Sequence, residues 1–351
     1  MTPSAASPRL TSLSHGGGCG CKIAPAVLAD LLRRSTPSQS FPGLLVGTET
    51  ADDAAVYQLN EEQAVIATTD FFMPIVDNPF DFGRIAATNA LSDVYAMGGS
   101  PLLALAILGM PVNVLAPETI REILRGGEAT CAEAGIPIAG GHSIDSVEPI
   151  YGLAALGVVH PRYIRRNCDA RANDALVLGK PLGVGILSAA LKKDRLGEAG
   201  YRTLIETTTR LNRAGPELAK IPGVHAMTDV TGFGLLGHLL EMCRGAQLGA
   251  RISMAAIPLL DDVASLAAAG FVTGASARNW ASYGDEVRLA PQLEGLPRIL
   301  LCDPQTSGGL LVACTRDAVD SVVDTLARQG CTHTAQIGAM SERAPHVTVD
   351  A

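Results

Sequence analysis

The chain has 351 residues, of which 47% are hydrophobic and 18% are charged, so it is long enough to bury a sizeable core in two domains. Aromatic residues make up only 4%, so aliphatic side chains and alanine must build that core. The net charge of −8 argues against a broad nucleic-acid-binding face, which requires clustered basic residues. It does not exclude a polyanionic small ligand, because bound divalent metal ions reverse the local charge.

The cysteine content and the hydropathy pattern indicate the cellular compartment in which the protein is expected to reside. Eight cysteines are spread thinly, unlike the disulfide framework of a small secreted domain. Residues 1–14 are rich in Ser, Thr and Pro and lack the apolar run of an export signal. The longest apolar stretch, Leu102–Met110, is shorter than the ~20 residues that span a membrane. We therefore expect a cytoplasmic protein with no membrane partner.

The first half of the chain predicts alternating helices and strands. Residues 1–18 are expected to be mobile, and a helix is predicted over Pro25–Arg34, with proline in its first turn. Further on, hydrophobic periodicity and Gly/Pro signals distinguish helices from strands. The predicted segments are a loop at 35–43, a polar turn at Val46–Asp53, strands at Ala54–Leu59 and Ala64–Thr69 (ending at Asp70), a helix at Asp81–Met97, a strand at Leu102–Leu108, a helix at Pro117–Gly135, and strands at Ile136–Ala139 and Tyr151–Val159.

A polar, Arg-rich stretch near residues 160–175 marks the predicted domain boundary. It divides the chain into an arm and helix at 1–45, a first domain at 46–165 and a second at 166–351. Both blocks mix helices and strands, which predicts an α/β (α+β) fold with antiparallel character. The second block is predicted to begin at Asp174–Gly179, with helices at Leu204–Lys220 and Gly234–Arg244 and strands at Val224–Val230, Arg298–Asp303 and Gly309–Cys314.

The most informative stretch is Ser14–Lys22, which reads Ser-His-Gly-Gly-Gly-Cys-Gly-Cys-Lys. Glycine lets the backbone approach a ligand closely, and a cysteine beside a cation is poised to be a reactive thiolate. Cys19, Cys21 and Lys22 therefore lie on a flexible arm that could carry a nucleophile to a site built elsewhere. The alternative is a Gly-rich leader with a Cys-x-Cys metal chelate, and the spacing alone does not decide between the two.

Acidic residues at turns and element ends form a second signal. Each alone is typical of a turn former or helix cap. Asp93 is harder to explain in that way, because its helical neighbours are largely apolar, and Asn89 lies on the same side of the predicted helix. Converging carboxylates would suit Mg²⁺ and phosphate oxygens better than Zn²⁺. The candidates are Asp52, Asp53, Asp70, Asp93 and Asp229.

Two Gly-rich turns could supply backbone amides for an anion. One is Gly140–Ser143 after a predicted strand, and the other is Gly232–Gly234 before a predicted helix. The chain has neither a P-loop nor a G-x-G-x-x-G motif that opens a βαβ unit. His142 is expected to be a turn residue, and the role of Gln305–Gly309 cannot be read from its spacing.

Taken together, several segments resemble the selenophosphate synthetases, a family also called the selenide, water dikinases. The resemblance runs from about residue 10 to the C-terminus in the family's order. The Gly-Cys-Gly-Cys-Lys arm is specific to that family, whereas the other segments occur in weaker form across the aminoimidazole ribonucleotide synthetase-like ATP enzymes. The segments are Ser14–Ile23, Asp52–Val56, Thr69–Met73, Asn78–Asp93, Gly140–Asp145, Met227–His238 and Cys302–Leu310.

The resemblance implies a two-domain aminoimidazole ribonucleotide synthetase-like fold, with an ATP-binding first domain and a mobile Gly/Cys-rich N-terminal arm. It implies that ATP, hydrogen selenide and water give selenophosphate, AMP and orthophosphate, with Mg²⁺ as cofactor and a requirement for K⁺. It also implies a homodimer with ATP sites near the interface. A selenium-delivery protein is a further candidate partner, and the physiological selenium donor stays open.

The resemblance also implies roles for individual residues. Cys19 matches the catalytic position, and Lys22 matches the essential lysine near the phosphates. Asp53, Asp93 and Asp229 match the metal-binding aspartates. The nucleotide-contacting positions are Lys22, Thr50, Ala51, Asp52, Asp70, Asp93, Gly141, His142 and Ser143.

Two alternatives compete with this interpretation. One is another ATP enzyme of the same superfamily that acts on a purine or thiamine precursor, although such chemistry needs no thiol on the arm. The other is a non-catalytic metal- or thiol-binding module with Cys19 and Cys21 as chelators. That module would leave the ordered aspartates and Gly turns unexplained.

Overall fold

The structure, a computed structural model, describes residues 8–32, 41–48 and 51–351. Before the first sheet, the chain forms short 3₁₀ turns at Leu10–Leu13 and Gly18–Cys21 and a helix, α1, at Pro25–Leu32. The described residues then form two mixed sheets, one in each half of the chain. No helix in these segments is long and apolar enough to cross a membrane.

The first sheet has six strands in the order β1-β2-β3-β6-β4-β5. All neighbours pair antiparallel except β4 and β5, which are parallel and leave β5 as an edge strand. The elements are β1 (Leu44–Val46), β2 (Ala55–Gln58), β3 (Ala64–Phe72), α2 (Pro79–Ala96), β4 (Ser100–Met110), α3 (Pro117–Ala134), β5 (Ile138–Asp145) and β6 (Ile150–Val159).

Helix α2 begins and ends at the residues that its sequence favours. The side chain of Asn78 accepts a hydrogen bond from the Asp81 amide, and Pro79 occupies the first helical turn. Gly98 follows the helix with a φ of +79°, which the left-handed turn requires. From Ile85 to Ala96 every α2 residue is buried, so this helix forms the centre of the first domain.

The two faces of the first sheet differ. One face packs against α2 and α3, and Ile66, Leu153 and Tyr151 of that sheet are fully buried. By strand register, Phe71, Leu105 and Ile144 share the opposite face, where they are 49%, 38% and 57% exposed. The first domain therefore presents an apolar sheet face that this chain does not cover with the residues described.

The second sheet has seven strands in the order β10-β13-β9-β12-β7-β11-β8. Its strands β7 and β11, which are neighbours in the sheet, are buried on both faces, which explains their continuous apolar sequences. The elements are β7 (Ala175–Leu178), α4 (Val184–Lys192), α5 (Glu198–Thr208), α6 (Gly215–Leu218), β8 (Val224–Asp229), α7 (Gly234–Ala246), β9 (Gly249–Ser253), α8 (Val263–Ala268), α9 (Gly274–Tyr283), β10 (Val287–Leu289), α10 (Leu296–Leu301), β11 (Leu310–Cys314), α11 (Val319–Arg328), β12 (Ala335–Ser341) and β13 (Val347–Asp350).

Two predictions in the first domain are wrong. Asp70 does not close a strand, because β3 pairs with β6 through to Phe72 and Asp70 lies within it. Gly140–Ser143 is not a turn, because it continues β5 in parallel register with β4. Gly140 and Gly141 keep extended but positive φ values of 150° and 158°, so glycine there accommodates an edge strand and not an anion-binding turn.

Two predictions in the second domain are also wrong. The predicted strand Arg298–Asp303 is part of helix α10, which starts at Leu296 with proline in its first turn. A short apolar run such as Ile-Leu-Leu fits either element, and its neighbours decide. The predicted helix Leu204–Lys220 is two helices, α5 and α6, since Gly215 and Pro216 start a new one.

The Gln305–Gly309 segment, which the sequence left unassigned, has a structural role in the second domain. Asp303 Oδ2 accepts hydrogen bonds from the amides of Gly185 and Ile186, and Gln305 Oε1 accepts from Gly183 and Val184. These are the orphan donors at the start of α4. The loop between α10 and β11 therefore caps α4 from a distance in sequence.

The Asp303 carboxyl predicts a pH-dependent contribution to stability. Burial raises its pKa from 3.8 to about 7, against the opposing hydrogen bonds. The unfolded chain releases this proton near pH 4 and the folded chain only near pH 7, so stability falls as pH rises between these values. We expect the free energy of unfolding of wild type, relative to Asp303→Asn, to fall by on the order of 2 kcal/mol from pH 5 to pH 8.

Urea denaturation of both proteins across this pH range measures the difference. Asn keeps an oxygen for the α4 amides but does not ionise, so the constant cost of the substitution cancels in the comparison. A difference between the two proteins that does not change with pH would contradict the shifted carboxyl.

Candidate active site

Cys19 of the N-terminal arm is fully buried between the two domains. Its amide donates to Thr306 Oγ1 at 3.0 Å, and its thiol donates to Asn89 Oδ1 at 3.1 Å. The arm fits tightly, since a Cβ at Gly18 would lie 2.2 Å from Thr306 Oγ1 and one at Gly232 would lie 2.6 Å from the Cys19 carbonyl oxygen. Two of the motif glycines are therefore required by close approach.

The amide of Asn89 joins the thiol to the rest of the site. Its Oδ1 also accepts from the Ser307 amide at 2.7 Å, and its Nδ2 donates to Asp70 Oδ2 at 2.7 Å. The same Asp70 oxygen lies 3.2 Å from Lys22 Nζ. A continuous chain of polar contacts thus runs from Cys19 through Asn89 and Asp70 to Lys22.

Three further carboxyl groups lie beside this chain, each from a different element. Asp53 precedes β2, Asp93 lies on α2 and Asp229 ends β8. Asp93 and Asp229 are buried, whereas Asp53 is half-buried with its Oδ2 atom out of contact with solvent. Thr228 Oγ1 donates to Asp53 Oδ1 at 2.9 Å, and Thr68 Oγ1 donates to Asp93 Oδ2 at 2.5 Å. Both domains therefore contribute acidic side chains to one place.

Burial and mutual repulsion change the acidities of these groups. Burial, followed by the neighbouring carboxylates, holds the pKa of Asp53 and of Asp93 well above its usual value, and burial also raises the pKa of Asp229. For Lys22, burial alone would lower the pKa, but Asp70 and the other anionic groups raise it above its usual value. The centre therefore favours added positive charge.

The thiol of Cys19 differs from the sequence-based expectation. Burial and then Asp70 raise its pKa well above the usual value, and the opposing effect of Lys22 is smaller. In this arrangement Cys19 is a protonated hydrogen-bond donor and not a thiolate. A cysteine beside a lysine becomes a thiolate only where the site is not desolvated.

The residues fit a magnesium ion shared with a phosphate ligand better than a metal held by protein alone. Oδ2 of Asp53 and Oδ2 of Asp229 are buried and have no hydrogen-bond partner. Yet within residues 8–32, 41–48 and 51–351, no three His, Cys, Asp or Glu side chains form a group that could hold a metal ion. Mg²⁺ commonly takes only one or two carboxylates and completes its shell with phosphate oxygens and water. Cys19 and Cys21, the candidate Cys-x-Cys chelate, likewise belong to no such ligand group in these segments.

The remaining predicted positions lie at or away from this centre. Ala51 and Asp52 precede Asp53 and are tied to Asn167, which donates from its side chain to the Ala51 carbonyl and from its amide to Asp52 Oδ1. Thr50 lies outside the described residues. Gly141, His142 and Ser143 lie on the exposed edge strand β5 and form no hydrogen bond with Cys19 or Lys22 within the described chain.

Sequence reasoning missed the neutral residues that organise the site. Thr306 and Ser307 hold the arm and Asn89, while Thr68 and Thr228 hold the carboxyl groups. Their only sequence signal is adjacency: Thr68 lies two residues before Asp70, and Thr228 immediately precedes Asp229. Thr306 and Ser307 belong to a segment whose role no spacing rule reveals.

Comparison with known proteins gives the family. Residues 51–159 match the family described as AIR synthase related protein, N-terminal domain, and residues 171–350 match its C-terminal domain. The chain is 69% identical over 345 residues to a selenide, water dikinase of Burkholderia pseudomallei, covering 98% of both chains. It is 58% identical over 342 residues to one of Rhizobium meliloti, covering 97% of this chain and 98% of that one.

The chain belongs to the selenide, water dikinase family. The family that the sequence motifs indicated is thereby confirmed, and so is the two-domain fold.

Solved structures agree with the fold at low sequence identity. A thiamine-monophosphate kinase from Stenotrophomonas maltophilia K279a is similar with a TM-score of 0.63 and 21% identity, over 93% of this chain and 97% of that chain. Hydrogenase maturation protein HypE in complex with ATP is similar with a TM-score of 0.60 and 18% identity, over 97% and 94%. This chain therefore shares its overall fold with these two proteins.

The N-terminal arm is held in place by cationic side chains of the second domain that donate hydrogen bonds to its carbonyl groups. Lys192 Nζ donates to the Ser14 carbonyl at 3.0 Å, and Arg278 Nη2 donates to the Gly20 carbonyl at 2.9 Å. The two contacts lie on either side of the triple glycine. The arm is packed in this structure, and its mobility stays a prediction.

We expect Lys192→Met and Arg278→Met each to accelerate alkylation of Cys19 by iodoacetamide. A hydrogen bond from a charged donor contributes about 1.5–3 kcal/mol, so its loss should raise the open population of the arm roughly tenfold or more. Alkylation of a buried thiol follows that open population. Mass spectrometry of timed digests measures the rate at Cys19 separately from the other cysteines.

Lys193→Met provides the matched control. Lys193 lies 5.6 Å from the centre of the Phe271 ring and has no hydrogen bond to the arm. Acceleration of the same size in this variant, or unchanged rates in both arm-contact variants, would show that these contacts do not restrain Cys19.

Proposed function

We propose that this chain catalyses the ATP-dependent synthesis of selenophosphate from hydrogen selenide and water, releasing AMP and orthophosphate. One observation carries the proposal: the buried thiol of Cys19 is joined through Asn89 and Asp70 to Lys22, beside the carboxyl groups of both domains. Family membership at 58–69% identity over nearly the full chain supports the same reaction.

The acidic centre supports a role in phosphoryl transfer. ATP brings about four negative charges to a protein that is already acidic, so its phosphates require cations. Asp53, Asp93 and Asp229 are the residues that would hold Mg²⁺. The unpartnered oxygens of Asp53 and Asp229 and the raised pKa values of all three fit that role. Bound Mg²⁺ would offset the phosphate charge and stabilise the transferring phosphoryl group.

Lys22 and Asp70 act as a pair in this proposal. Lys22 is 36% exposed in its side chain, yet its ammonium group reaches inward to Asp70. When the triphosphate binds, Lys22 adds a cation near the γ-phosphate. Hydroselenide attacks the γ-phosphorus, and water then cleaves the remaining ADP to AMP and orthophosphate. Ala51, Asp52 and the undescribed Thr50 contact the nucleotide.

Cys19 positions selenium, and the arm excludes water while the first transfer occurs. The thiol is protonated when the arm is packed, so Cys19 positions hydroselenide by donating a hydrogen bond to it and forms no bond to selenium. Packing of the arm places Cys19 at the carboxylate centre. We also propose that the arm and helix at 1–45, the first domain at 46–165 and the second at 166–351 are the units that move relative to one another.

A homodimer accounts for two features of the first domain. The sheet exposes an apolar face that includes Phe71, Leu105 and Ile144, and such a face is typical of an interaction surface. Gly141–Ser143 lies on the free edge strand β5, where a second copy could bring it to the nucleotide. We further propose a cytoplasmic location, dependence on K⁺ and supply of selenide by a delivery protein.

Phosphorus NMR of the protein with Mg-ATP and selenide tests the reaction. We expect selenophosphate, AMP and orthophosphate to appear together, and AMP formation to depend on selenide. ADP release without selenide would favour a different ATP enzyme of this fold. Stoichiometric Zn²⁺ or Cu⁺ binding without ATP hydrolysis would favour a chelating module.

Cys19→Ser should abolish selenophosphate formation while ATP still binds. Serine keeps the hydrogen bond to Asn89 but cannot replace the sulfur that positions selenium, so we expect a loss of roughly 1000-fold or more, the scale of losing a residue on which the reaction depends. Phosphorus NMR measures product, and equilibrium dialysis measures ATP. Cys21→Ser is the control, because Cys21 lies on the same arm and we expect only an accessory role for it. A serine variant at position 19 with the wild-type rate would exclude the positioning role of Cys19.

Asp93→Asn should lose Mg-dependent ATP turnover by about 100-fold, because one carboxylate of the proposed metal site becomes neutral. Thr68 can still donate to the amide oxygen, so the fold of α2 is preserved. Turnover as a function of Mg²⁺ concentration measures the effect. Asp320→Asn removes an exposed carboxylate from α11 and serves as the control. An unchanged Mg²⁺ dependence would remove Asp93 from the site.

A further inference from the structure

An arginine-lined cavity of about 780 Å³ lies where the linker between the domains meets β2 and β8. Arg162, Arg165, Arg166 and Arg171 line it, and of the described residues its only acidic lining side chain is Asp169. Cys19, Lys22 and the carboxyl groups of the candidate active site do not line it. The cavity is therefore separate from the site already described.

The charge in this cavity is not balanced by the protein. Arg166 forms a bidentate pair with Asp169, with both N–O distances at 2.8 Å. No carboxylate of the described segments lies within ion-pair distance of Arg162, Arg165 or Arg171. In a chain with a net charge of −8, three guanidinium groups without an acidic partner around one cavity form a marked local excess.

Arg165 supplies a second, independent indication. Its Nε is buried and has no hydrogen-bond acceptor, whereas its other nitrogens donate to the carbonyl groups of Arg162, Ile164 and Ala219. Burial lowers the pKa of this guanidinium, so the charged form is held at a cost. A buried hydrogen-bond donor without an acceptor destabilises the folded protein, and the penalty is larger when the donor is charged. An oxyanion that accepted this hydrogen bond would remove the penalty.

The chemistry of the walls indicates the class of ligand. Guanidinium groups bind phosphate through paired N–H donors, and several of them around one cavity suit a phosphate group better than a single carboxylate. Leu45, Ile164 and Val224 add apolar lining, and the volume lies within the usual range for a small organic ligand. We propose that this cavity binds a phosphate-bearing small molecule at a site distinct from the triphosphate centre.

Arginine-specific labelling tests this site without relying on activity. Phenylglyoxal reacts with accessible guanidinium groups, and mass spectrometry of digests gives the rate at each arginine. The full-length protein is labelled with inorganic phosphate, with AMP, with adenosine or with sodium chloride at matched ionic strength. Arg202 is the internal control, because it is exposed and forms no ion pair in the described chain.

We expect phosphate, AMP or both to slow labelling of Arg162 and Arg171 by about fivefold or more, the effect of a bidentate contact that occupies the guanidinium. Adenosine and chloride should give no protection, and labelling of Arg202 should not change. Protection by AMP at lower concentration than phosphate identifies a phosphomonoester as the ligand, whereas equal protection identifies the free anion.

Variants test whether these arginines form the site. Arg162→Met/Arg171→Met removes two exposed side chains, so the protein should fold, and phosphate should no longer protect Arg165. Arg202→Met is the matched control for lost charge. The proposal is overturned if neither phosphate nor AMP protects the cavity arginines, if chloride protects them equally, or if the double variant retains wild-type protection of Arg165.

Discussion

The burial of several carboxyl groups in one place is the constraint on which the rest of this structure depends. Asp93, Asp229 and one carboxyl oxygen of Asp53 are removed from water, and this burial together with neighbouring carboxylates raises the pKa of each group. Such a cluster is costly in free energy unless cations or protons offset it. The fold bears that cost at the interface of its two domains, where a charged ligand and its metal ions can relieve it.

The N-terminal arm offsets part of the negative charge of this centre. Lys22 brings a cation to Asp70, and the amide of Asn89 satisfies Asp70, Ser307 and the thiol of Cys19 together. Hydrogen bonds from Thr306, Lys192 and Arg278 to backbone groups hold the glycine segment, while Leu10 and Cys19 are buried in the apolar core. The arm is therefore restrained by both polar and apolar contacts.

The two sheets place these groups by different means. In the first domain, one sheet face packs on α2, so Asp93 and Asn89 on that helix point to Asp70 on β3. In the second domain, β8 pairs with β11, and Asp229 lies opposite Leu310. Leu310 is the first residue after the Thr306–Gly309 segment, so this pairing brings Asp229 close to that segment. The loop that caps α4 is also the loop that holds Cys19.

The sequence by itself determined the family, the two α/β blocks and most of the acidic and arm residues, because these depend on residue types at short spacing. It could not determine that Asp70 lies within β3 or that Gly140–Ser143 is an edge strand, because pairing with distant strands decides these points. It also could not determine that Arg298–Leu301 is helical, because a short apolar run fits either a helix or a strand. Only the tertiary structure decided the protonation of Cys19. Local sequence places a lysine beside the thiol, but burial between two domains outweighs that lysine, and burial is a property of contacts hundreds of residues apart.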